Sequence, residues 1–399
     1  MSETNSGLEG ASGANEGAEV LVLVGTRPEA IKMAPVVKAL RAYAPRFRTR
    51  LVLTGQHEEL AIEALAPFGL TPDRNLGIMR EDQTLYDVAV GCLAGLRDLL
   101  SDDPPEVLLA QGDTASVFFG ALVGFFERVR VGHVEAGLRS GDMAHPFPEE
   151  GFRRLTGVLA DFHFAPTPDA AENLRREGVP EARIHVTGNP VVDALLDIAG
   201  QDASPSSDVL SRLDARSRKG EGPFALLTAH RRESFGEPLD RVFGAVLRLV
   251  EAEPELNVLY PVHPNPQVRG PAETILGAHP RIHLVSPLPY PELVRALSGA
   301  AVVLTDSGGI QEEAPSFGTP VLVLREVTER PEGVRAGVAE LVGTDPDRIF
   351  ASARRALAEG EAGRERRRGA NPYGDGRAGE RIAAIVARSL GVEVAEVLP

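Results

Sequence analysis

The amino-acid sequence predicts an α/β fold with two doubly wound domains that face a central cleft. Short apolar runs rich in Val and Leu alternate with helical stretches, a pattern typical of parallel βαβ units. The alternation weakens in the polar segment 200–222 and then restarts. The chain of 399 residues is also long enough for two or three domains with cores of their own.

The first domain is predicted over residues 19–188. It follows an acidic segment at 1–18 that is rich in Gly and Ser, where we expect a disordered tail. A run of Val and Leu at 20–24 indicates a buried strand, and apolar residues at helical spacing follow over 28–43. Further strands of this domain are predicted at 50–53, 107–110, 130–134, 162–165 and 184–186.

The second domain is predicted over residues 189–374, joined to the first near Gly188. Its basic run at 364–368 is interpreted as a solvent-facing surface. A helix at about 377–390 closes the chain. The strands predicted in this domain lie at 224–228, 258–261, 282–285, 302–305 and 320–324.

The composition argues against several classes of partner. A net charge of −15 disfavours nucleic acid, whose protein partners carry basic surfaces. The apolar runs are far shorter than the ~20 residues that cross a membrane. The acidic start of the chain does not resemble a signal peptide, so we expect a cytoplasmic protein. Cys92 is the single cysteine, which excludes an internal disulfide, and its apolar neighbours predict a buried thiol.

Polar groups follow the predicted strands, at the edge of a parallel sheet where ligands bind. Arg27 follows the first strand near a helix N-terminus, a position that favours an anion. The turn Ser307-Gly308-Gly309 fits a phosphate cradle, and Glu313 one turn later fits a ribose ligand. Taken singly, the turn is equally well a structural turn, and a solvent-facing helix charge is the favoured interpretation of Glu313.

Motifs for other chemistries are missing from the sequence. It has no Walker A loop, no GxGxxG at a strand–helix junction, no HExxH, no PCxxC and no GxSxG. A dinucleotide, a metal requirement and a serine nucleophile are therefore not expected. The charged residues that remain are three carboxylates, two cations and a histidine, and they favour proton transfer coupled to loss of a phosphate leaving group. This set comprises Asp113, Glu135, Glu149, Arg27, Lys32 and His230.

The order of the motifs closely resembles that of the non-hydrolysing UDP-N-acetylglucosamine 2-epimerases, over about residues 19–390. The matching stretches are GTRPEAIKMAPVVKAL (25–40), QGDT (111–114), GHVEAGLRSGD (132–142), FPEE (147–150), TGNPVVDAL (187–195), HRRESFG (230–236), YPVHPNP (260–266), TDSGGIQEEAPSFGTPVLVLREVTERPE (305–332) and NPYGDG (371–376). The resemblance implies Rossmann-like domains in a glycosyltransferase-B-like arrangement, a homodimer, no metal and no nicotinamide. It also implies that the C-terminal helix packs on the first domain and that UDP lies on the second.

The resemblance further implies the reaction and the site. UDP-GlcNAc would be reversibly converted to UDP-ManNAc at carbon 2, by elimination of UDP to a 2-acetamidoglucal and re-addition. Phosphates would be held by Arg27, His230, Ser307, Gly308 and Gly309. Ribose would be held by Glu313, with Arg330 nearby. The sugar would be surrounded by Lys32, Asp113, Glu135 and Glu149. The candidate catalytic groups are Asp113, Glu135, Glu149 and His230.

This chain departs from the family pattern at several positions. Phe152 stands where relatives usually carry Asn, and Gln111 where His is frequent. Many bacterial relatives bind a second, activating UDP-GlcNAc. Of the residues that the resemblance implies for that site, this chain keeps Gln56, Arg231 and His263 but has Glu59 and Asp82 in place of a Gln and an Arg. We therefore expect weakened or altered regulation, because added negative charge disfavours a pyrophosphate.

Three other functions fit parts of the sequence. The first is a 2-epimerase of a related UDP-sugar, such as a UDP-2,3-diacetamido uronic acid. The second is a glycosyltransferase of the same architecture, which acceptor sugars would reveal. The third is a non-catalytic nucleotide-sugar sensor, which the intact set of carboxylates disfavours.

Overall fold

The computed structural model describes residues 17–56, 58–79, 83–201 and 207–394. Asp82 and residues 1–16 of the expected tail lie outside these ranges. The strands are β1 (Glu19–Val24), β2 (Arg48–Leu53), β3 (Arg74–Asn75), β4 (Val107–Gln111), β5 (Arg130–Val134), β6 (Phe162–Ala165), β7 (Ile184–Val186), β8 (Phe224–Thr228), β9 (Asn257–Pro261), β10 (Ile282–Val285), β11 (Val302–Thr305), β12 (Val321–Val323) and β13 (Ala339–Leu341).

Helices connect these strands on both faces of the sheets. They are α1 (Arg27–Arg41), α2 (Glu58–Leu65), α3 (Leu85–Asp102), α4 (Ala115–Phe126), α5 (Glu149–Leu159), α6 (Pro168–Arg176), α7 (Pro190–Ala199), α8 (Asp208–Arg218), α9 (Glu237–Ala252), α10 (Pro266–Leu276), α11 (Tyr290–Gly299), α12 (Gly308–Glu313), α13 (Pro331–Arg335), α14 (Pro346–Arg367) and α15 (Ala378–Ser389).

The strands form two parallel sheets. The first has the order β3-β2-β1-β4-β5-β6-β7 and the second the order β10-β9-β8-β11-β12-β13. In each sheet the direction of winding reverses at the first strand, beside β1 and beside β8. The crevice outside such a switch point is where α/β sheets bind ligands. The structure thus confirms the α/β fold class with two doubly wound sheets.

Every strand predicted from an apolar run is present, and two short strands were missed. β3 is only Arg74–Asn75, and β13 is Ala339–Leu341 with a glutamate in its centre. Both lie at a sheet edge, where one neighbour and solvent exposure remove the need for a continuous apolar run. Sequence periodicity therefore carries little signal for them.

α7 packs against α1 on one side and against α11 on the other. One continuous cluster of buried apolar side chains accordingly includes Val22 of β1 and Phe224 of β8. α15 returns to lie on α1, so closely that a Cβ on Gly379 would be 3.0 Å from the Pro35 carbonyl. The Asp193 carboxylate of α7 accepts the N–H groups of Ala378 (3.1 Å) and Gly379 (2.7 Å) at the start of α15.

The interpretation of the basic run 364–368 as a solvent-facing surface is wrong for two of its members. Arg364 donates to the carbonyls of Phe317 (3.0 Å) and Ala300 (3.2 Å), and Arg367 donates to the carbonyl of Gly318 (3.1 Å). These guanidiniums satisfy carbonyls where the chain turns into β11 and β12, which the local charge pattern does not reveal. Cys92 is buried as expected, and burial raises the pKa of its thiol to about 12. Within the described ranges, no helix has the length and apolar character needed to span a bilayer.

Two buried histidines lie opposite each other on β5 and β6. His133 and His163 are register partners, and each is 1% exposed. Nε2 of His133 lies 2.7 Å from the carbonyl oxygen of Gly112. Burial lowers the pKa of His133 to about 3 and that of His163 to about 4. Both rings are therefore neutral in the folded protein at neutral pH.

We predict that His133 makes folding sensitive to acid. Below about pH 6.5 the unfolded chain takes up a proton that the folded chain refuses, which removes about 2 kcal/mol of stability by pH 5. In His133→Gln the side-chain amide can still donate to the carbonyl of Gly112, but it does not titrate. On acidification to pH 5, the unfolding free energy of this variant should therefore rise by about 2 kcal/mol relative to that of the parent. Urea unfolding at several pH values measures this gain, with the exposed His145→Gln as control. A constant offset between parent and His133→Gln would contradict the prediction.

Candidate active site

Two adjoining cavities occupy the cleft between the sheets. The second-sheet cavity, of about 400 Å³, is lined by residues that include His230, His263, Tyr290, Ser307, Gly309 and Glu313. The first-sheet cavity, of about 280 Å³, is lined by residues that include Glu29, Asp113, Glu135, Glu149, Arg231 and Arg330. Pro28 and Lys32 of α1 line both cavities. One elongated ligand could therefore occupy both.

The ends of the strands place these side chains in the cleft. Asp113 follows β4 and Glu135 follows β5, while His230 follows β8 and Ser307 follows β11. Arg27 begins α1 directly after β1, and its guanidinium donates to the carbonyl of Leu288 across the cleft (3.4 Å). The strand-end residues predicted from the sequence thus share one cleft.

Gly25 lies where the turn after β1 approaches the start of α4. Its φ is not positive, but a Cβ at this position would lie 2.3 Å from Oγ of Ser116. Only glycine lets the turn after β1 approach the start of α4 so closely.

A buried ionic cluster joins the two sides of the cleft. Nζ of Lys32 lies 2.7 Å from Oε1 of Glu135 and 3.5 Å from Oε2 of Glu312. Nδ2 of Asn189 donates to the same two carboxylates, at 3.0 and 3.2 Å. Nε of Arg330 donates to the other oxygen of Glu312 (2.8 Å). Two cations and two anions therefore balance one another in a site that is almost closed to water.

Charge pairing decides which members of this cluster are ionised. Burial lowers the pKa of Lys32, but Glu135 and Glu312 outweigh that effect and hold it above its usual value. Burial raises the pKa of Glu135, yet Lys32 and Arg330 hold it below its usual value. Glu135 also has a φ of 64°, a backbone conformation that costs about 1–2 kcal/mol for a residue with a Cβ. Such local strain is typical of functional sites.

The Ser-Gly-Gly turn reaches the second-sheet cavity through two of its three residues. Ser307 and Gly309 line this cavity. Gly308 instead lies beneath Arg330, where a Cβ would be 2.6 Å from the guanidinium carbon. Gly308 therefore serves as a platform for Arg330, and its role in holding a phosphate stays a prediction.

His230 is held by Asp306. Oδ2 of Asp306 accepts the backbone N–H groups of His230 (2.6 Å) and Arg231 (2.8 Å), and its Oδ1 lies 3.4 Å from Nδ1 of His230. The His230 ring stacks on His263, with 5.5 Å between ring centroids. Burial lowers the pKa of His230, although Asp306 opposes this.

Glu313 lies at the far end of the second-sheet cavity, where the hydroxyl of Tyr290 donates to its Oε1 (2.9 Å). Burial raises the pKa of Glu313 to about 7. A buried carboxylate that lines a cavity can accept hydrogen bonds from a hydroxyl-bearing group such as a ribose.

Two more carboxylates line the first-sheet cavity. Asp113 is paired with the guanidinium of Arg153. Oε2 of Glu149 is buried and has no hydrogen-bond partner among the described residues. Because an unpaired buried oxygen is costly, Glu149 is suited to exchange a proton with a bound molecule.

Phe152 joins an aromatic cluster behind Glu149. Its ring stacks on that of Phe118, with 5.3 Å between centroids, and meets Phe119 edge-on at 6.0 Å. Stacked pairs of this kind add about 0.5–1.5 kcal/mol beyond burial. The departure from the family pattern at this position thus makes packing contacts that fix α5 against α4.

Two of the residues suggested for a second ligand line different cavities of the cleft. Arg231 lines the first-sheet cavity, and His263 lines the second-sheet cavity. Gln56 accepts a hydrogen bond from the hydroxyl of Ser116 (2.9 Å). Glu59 is exposed at the start of α2, and Asp82 lies outside the described residues.

Several members of the site could not be singled out from the sequence. Glu29, Asn189, Tyr290, Asp306 and Glu312 are ordinary polar residues until the fold brings them together. For four of them the sequence signal was a position in the motif TRPE, GNP or DSGGIQEE, whereas Tyr290 lies in none of these motifs. Within the described ranges, no group of three or more His, Cys, Asp or Glu side chains is arranged to hold a metal ion.

Comparisons with known proteins place the chain in a family. A family model described as UDP-N-acetylglucosamine 2-epimerase matches residues 38–387. The UDP-N-acetylglucosamine 2-epimerase of Escherichia coli (strain K12) is 45% identical over 367 residues, which cover 91% of this chain and 97% of the relative. That of Bacillus subtilis (strain 168) is 44% identical over 364 residues, which cover 91% of this chain and 93% of the relative.

Solved structures agree with these matches. The UDP-GlcNAc 2-epimerase from Neisseria meningitidis, bound to UDP-GlcNAc, is 38% identical with a TM-score of 0.84, and the match covers 93% of this chain and 100% of that one. The glycotransferase of kitacinnamycin is 15% identical with a TM-score of 0.64, a likeness that shows the fold alone. The chain therefore belongs to the UDP-N-acetylglucosamine 2-epimerase family.

We predict that loss of the Lys32 charge destabilises the protein strongly. Lys32→Met leaves Glu135 and Glu312 facing each other without the cation between them, and breaking such a buried pair costs about 3–5 kcal/mol. Lys38→Met is a matched control on the same helix, because its ion pair with Asp197 is largely exposed and worth at most about 1 kcal/mol. Urea unfolding of both variants measures the two effects, and equal losses would contradict the assigned role of Lys32.

Proposed function

We propose that this protein is a UDP-N-acetylglucosamine 2-epimerase that interconverts UDP-GlcNAc and UDP-ManNAc. The observation that carries the proposal is the pair of adjoining cavities, one suited to a nucleoside diphosphate and the other lined with carboxylates. The family of the chain, and the UDP-GlcNAc bound to the Neisseria relative, support this substrate.

UDP fits the second-sheet cavity. Glu313 would accept hydrogen bonds from the ribose hydroxyls. The pyrophosphate would lie against Arg27, His230 and the turn at Ser307 and Gly309, where cationic side chains and a helix start favour negative charge. The sugar would then extend past Lys32 toward Asp113, Glu135 and Glu149.

The reaction needs both a leaving group and a movable proton. The hydrogen on carbon 2 is not adjacent to a carbonyl, so it becomes acidic only as the bond between carbon 1 and oxygen breaks. UDP departs with the bonding electrons, a carboxylate takes the proton, and a 2-acetamidoglucal remains. A proton delivered to the opposite face of carbon 2 and the return of UDP to carbon 1 give the epimer.

The charges in the cleft suit these steps. Arg27 and His230 would stabilise the departing UDP. Glu149 has an oxygen without a hydrogen-bond partner in the part of the chain that the structure describes, while Asp113 and Glu135 are each held by a cation. Inversion needs proton-bearing groups on both faces of the sugar, and three carboxylates around one cavity can supply them.

We propose a homodimer as the assembly. Large apolar side chains are exposed on three neighbouring helices of the first sheet. They include Tyr86 and Val90 on α3, Phe125 and Phe126 on α4, and Leu155 and Val158 on α5. An apolar surface of this kind marks a protein interface.

For regulation, we propose that a second UDP-GlcNAc activates weakly, since Glu59 and Asp82 add negative charge where relatives carry a Gln and an Arg.

We expect UDP-GlcNAc to be converted reversibly to UDP-ManNAc, with one deuterium incorporated at carbon 2 in deuterated water. Proton NMR of the reaction follows both the ratio of epimers and the loss of the carbon 2 signal. Complete retention of the original hydrogen would contradict elimination. Epimerisation of a UDP-2,3-diacetamido uronic acid, with UDP-GlcNAc left unchanged, would assign the activity to the related sugar instead.

Asp113→Asn and Glu149→Gln should each lower kcat by about 10²–10⁴-fold, the usual contribution of a general acid or base. Both residues line the first-sheet cavity, so the Kd for UDP should change little. Arg27→Ala, on the second-sheet cavity, is the contrasting control and should weaken UDP binding in a salt-dependent way. Steady-state kinetics and calorimetry separate the two effects. Parental kcat in both carboxylate variants would show that the proton groups lie elsewhere.

A further inference from the structure

One buried carboxylate of the cleft has no part in the proposed proton transfer. Glu29 lines the first-sheet cavity and is 3% exposed. It lies in the first turn of α1, two residues after Arg27 and three before Lys32. A buried carboxylate is retained only where its hydrogen bonds offset the cost of removing it from water.

The donors to Glu29 come from two separate turns. Oε2 accepts the backbone N–H of Gly25 (2.6 Å) and Oε1 the hydroxyl of Thr26 (3.0 Å), both in the turn after β1. Oε1 also accepts the hydroxyl of Thr114 (2.8 Å), in the turn after β4. The side chain therefore ties together the ends of two adjacent strands at the switch point of the first sheet.

Each of these turns carries a residue with a proposed role. Thr26 precedes Arg27, which would hold the pyrophosphate, and Thr114 follows Asp113, which would handle a proton. The hydroxyl of Thr114 also caps α4 by accepting the N–H of Val117 (3.4 Å). Displacement of Glu29 would thus move a phosphate ligand and a carboxylate relative to each other.

We propose that Glu29 is a positioning residue that sets the spacing between Arg27 and Asp113, and that it does so fully only as a carboxylate. This inference rests on the proposed function. An ionised carboxylate accepts every hydrogen bond on offer, whereas a protonated one must donate through one oxygen. The N–H of Gly25 can only donate, so a protonated Glu29 forces a threonine hydroxyl to turn round and become an acceptor.

The surroundings of Glu29 increase its affinity for a proton. Burial is the main reason that its pKa is raised to about 7; its hydrogen bonds from Gly25, Thr114 and Thr26 oppose the rise, and the negative charge of Asp113 adds to it. Cys92 of α3 interacts with it electrostatically. The other titratable groups that share the cavity or the same turn of α1 are Arg27, Lys32, Glu135, Glu149, Arg153, Arg231, Glu329 and Arg330.

The sign of the pH dependence follows. Below about pH 7 Glu29 is protonated and its hydrogen bonds to the two turns are rearranged, and above that pH all three donors point at the carboxylate. We therefore expect kcat/KM of the parent to rise through this range. The side-chain amide nitrogen of Glu29→Gln can only donate hydrogen bonds, so this variant should resemble the protein with Glu29 protonated. It should lose at least about tenfold in kcat/KM at high pH and show a flatter profile.

The two threonines separate positioning from general loss of structure. Thr26→Val removes one of the two hydrogen bonds that the turn carrying Arg27 donates to Glu29, leaves the one from Gly25, and should raise the Kd for UDP several-fold with a smaller change in kcat. Thr114→Val removes the hydrogen bond from the turn carrying Asp113, together with the cap on α4, and should lower kcat several-fold with little change in the Kd for UDP. Thr26→Ser and Thr114→Ser keep the hydroxyl groups and should restore the parental values.

Kinetics on UDP-GlcNAc across pH and calorimetry with UDP test the proposal. The proposal would be overturned if kcat/KM of Glu29→Gln were lower than that of the parent by the same factor at every pH. It would also be overturned if the two Thr→Val variants had identical effects on kcat and on the Kd for UDP. A parent without epimerase activity would overturn the proposed function instead. UDP binding would still report on Glu29 in that case, because Thr26→Val and Glu29→Gln should weaken it and Thr114→Val should not.

Discussion

The structure of the cleft depends on the ion pairs that the ammonium group of Lys32 makes. It lies on α1 beside the first sheet, yet it pairs with Glu135 after β5 and with Glu312 on α12 beside the second sheet. Each carboxylate alone would be costly to bury, and together they hold the lysine charged. The two cavities adjoin at this residue, so one ion pair fixes both the closeness of the sheets and the shape of the site.

The doubly wound fold explains why chemistry gathers at this point. β1 and β8 each lie between the strands wound in opposite directions, and the turns that follow them carry Arg27 and His230. These turns need partners to stay in place. The buried carboxylate of Glu29 accepts a backbone N–H from the turn in the first sheet, and the buried carboxylate of Asp306 accepts two from the turn in the second sheet. The two halves of the cleft are thus built on the same physical device.

Much of the fold was predictable because buried parallel strands are continuous apolar runs, as in β1 and β8. The short edge strands β3 and β13 carried no such signal. In the cleft, residues at strand ends could be found by position, whereas Glu312 and Asn189 owe their importance to partners distant in sequence. The same limit applies to Arg364, whose carbonyl partners are distant in sequence, and to Gly25, whose close neighbour Ser116 lies on α4.

A crystal structure of the protein with UDP tests the account most directly. We expect the ribose to lie against Glu313 and the diphosphate to lie between Arg27, His230 and Ser307. The first-sheet cavity should be left free for a sugar. Lys32 should keep its contact with Glu135 in that complex. A diphosphate bound among Asp113, Glu135 and Glu149, or a nucleotide outside the cleft, would contradict the division of the site into a nucleotide half and a proton-transfer half.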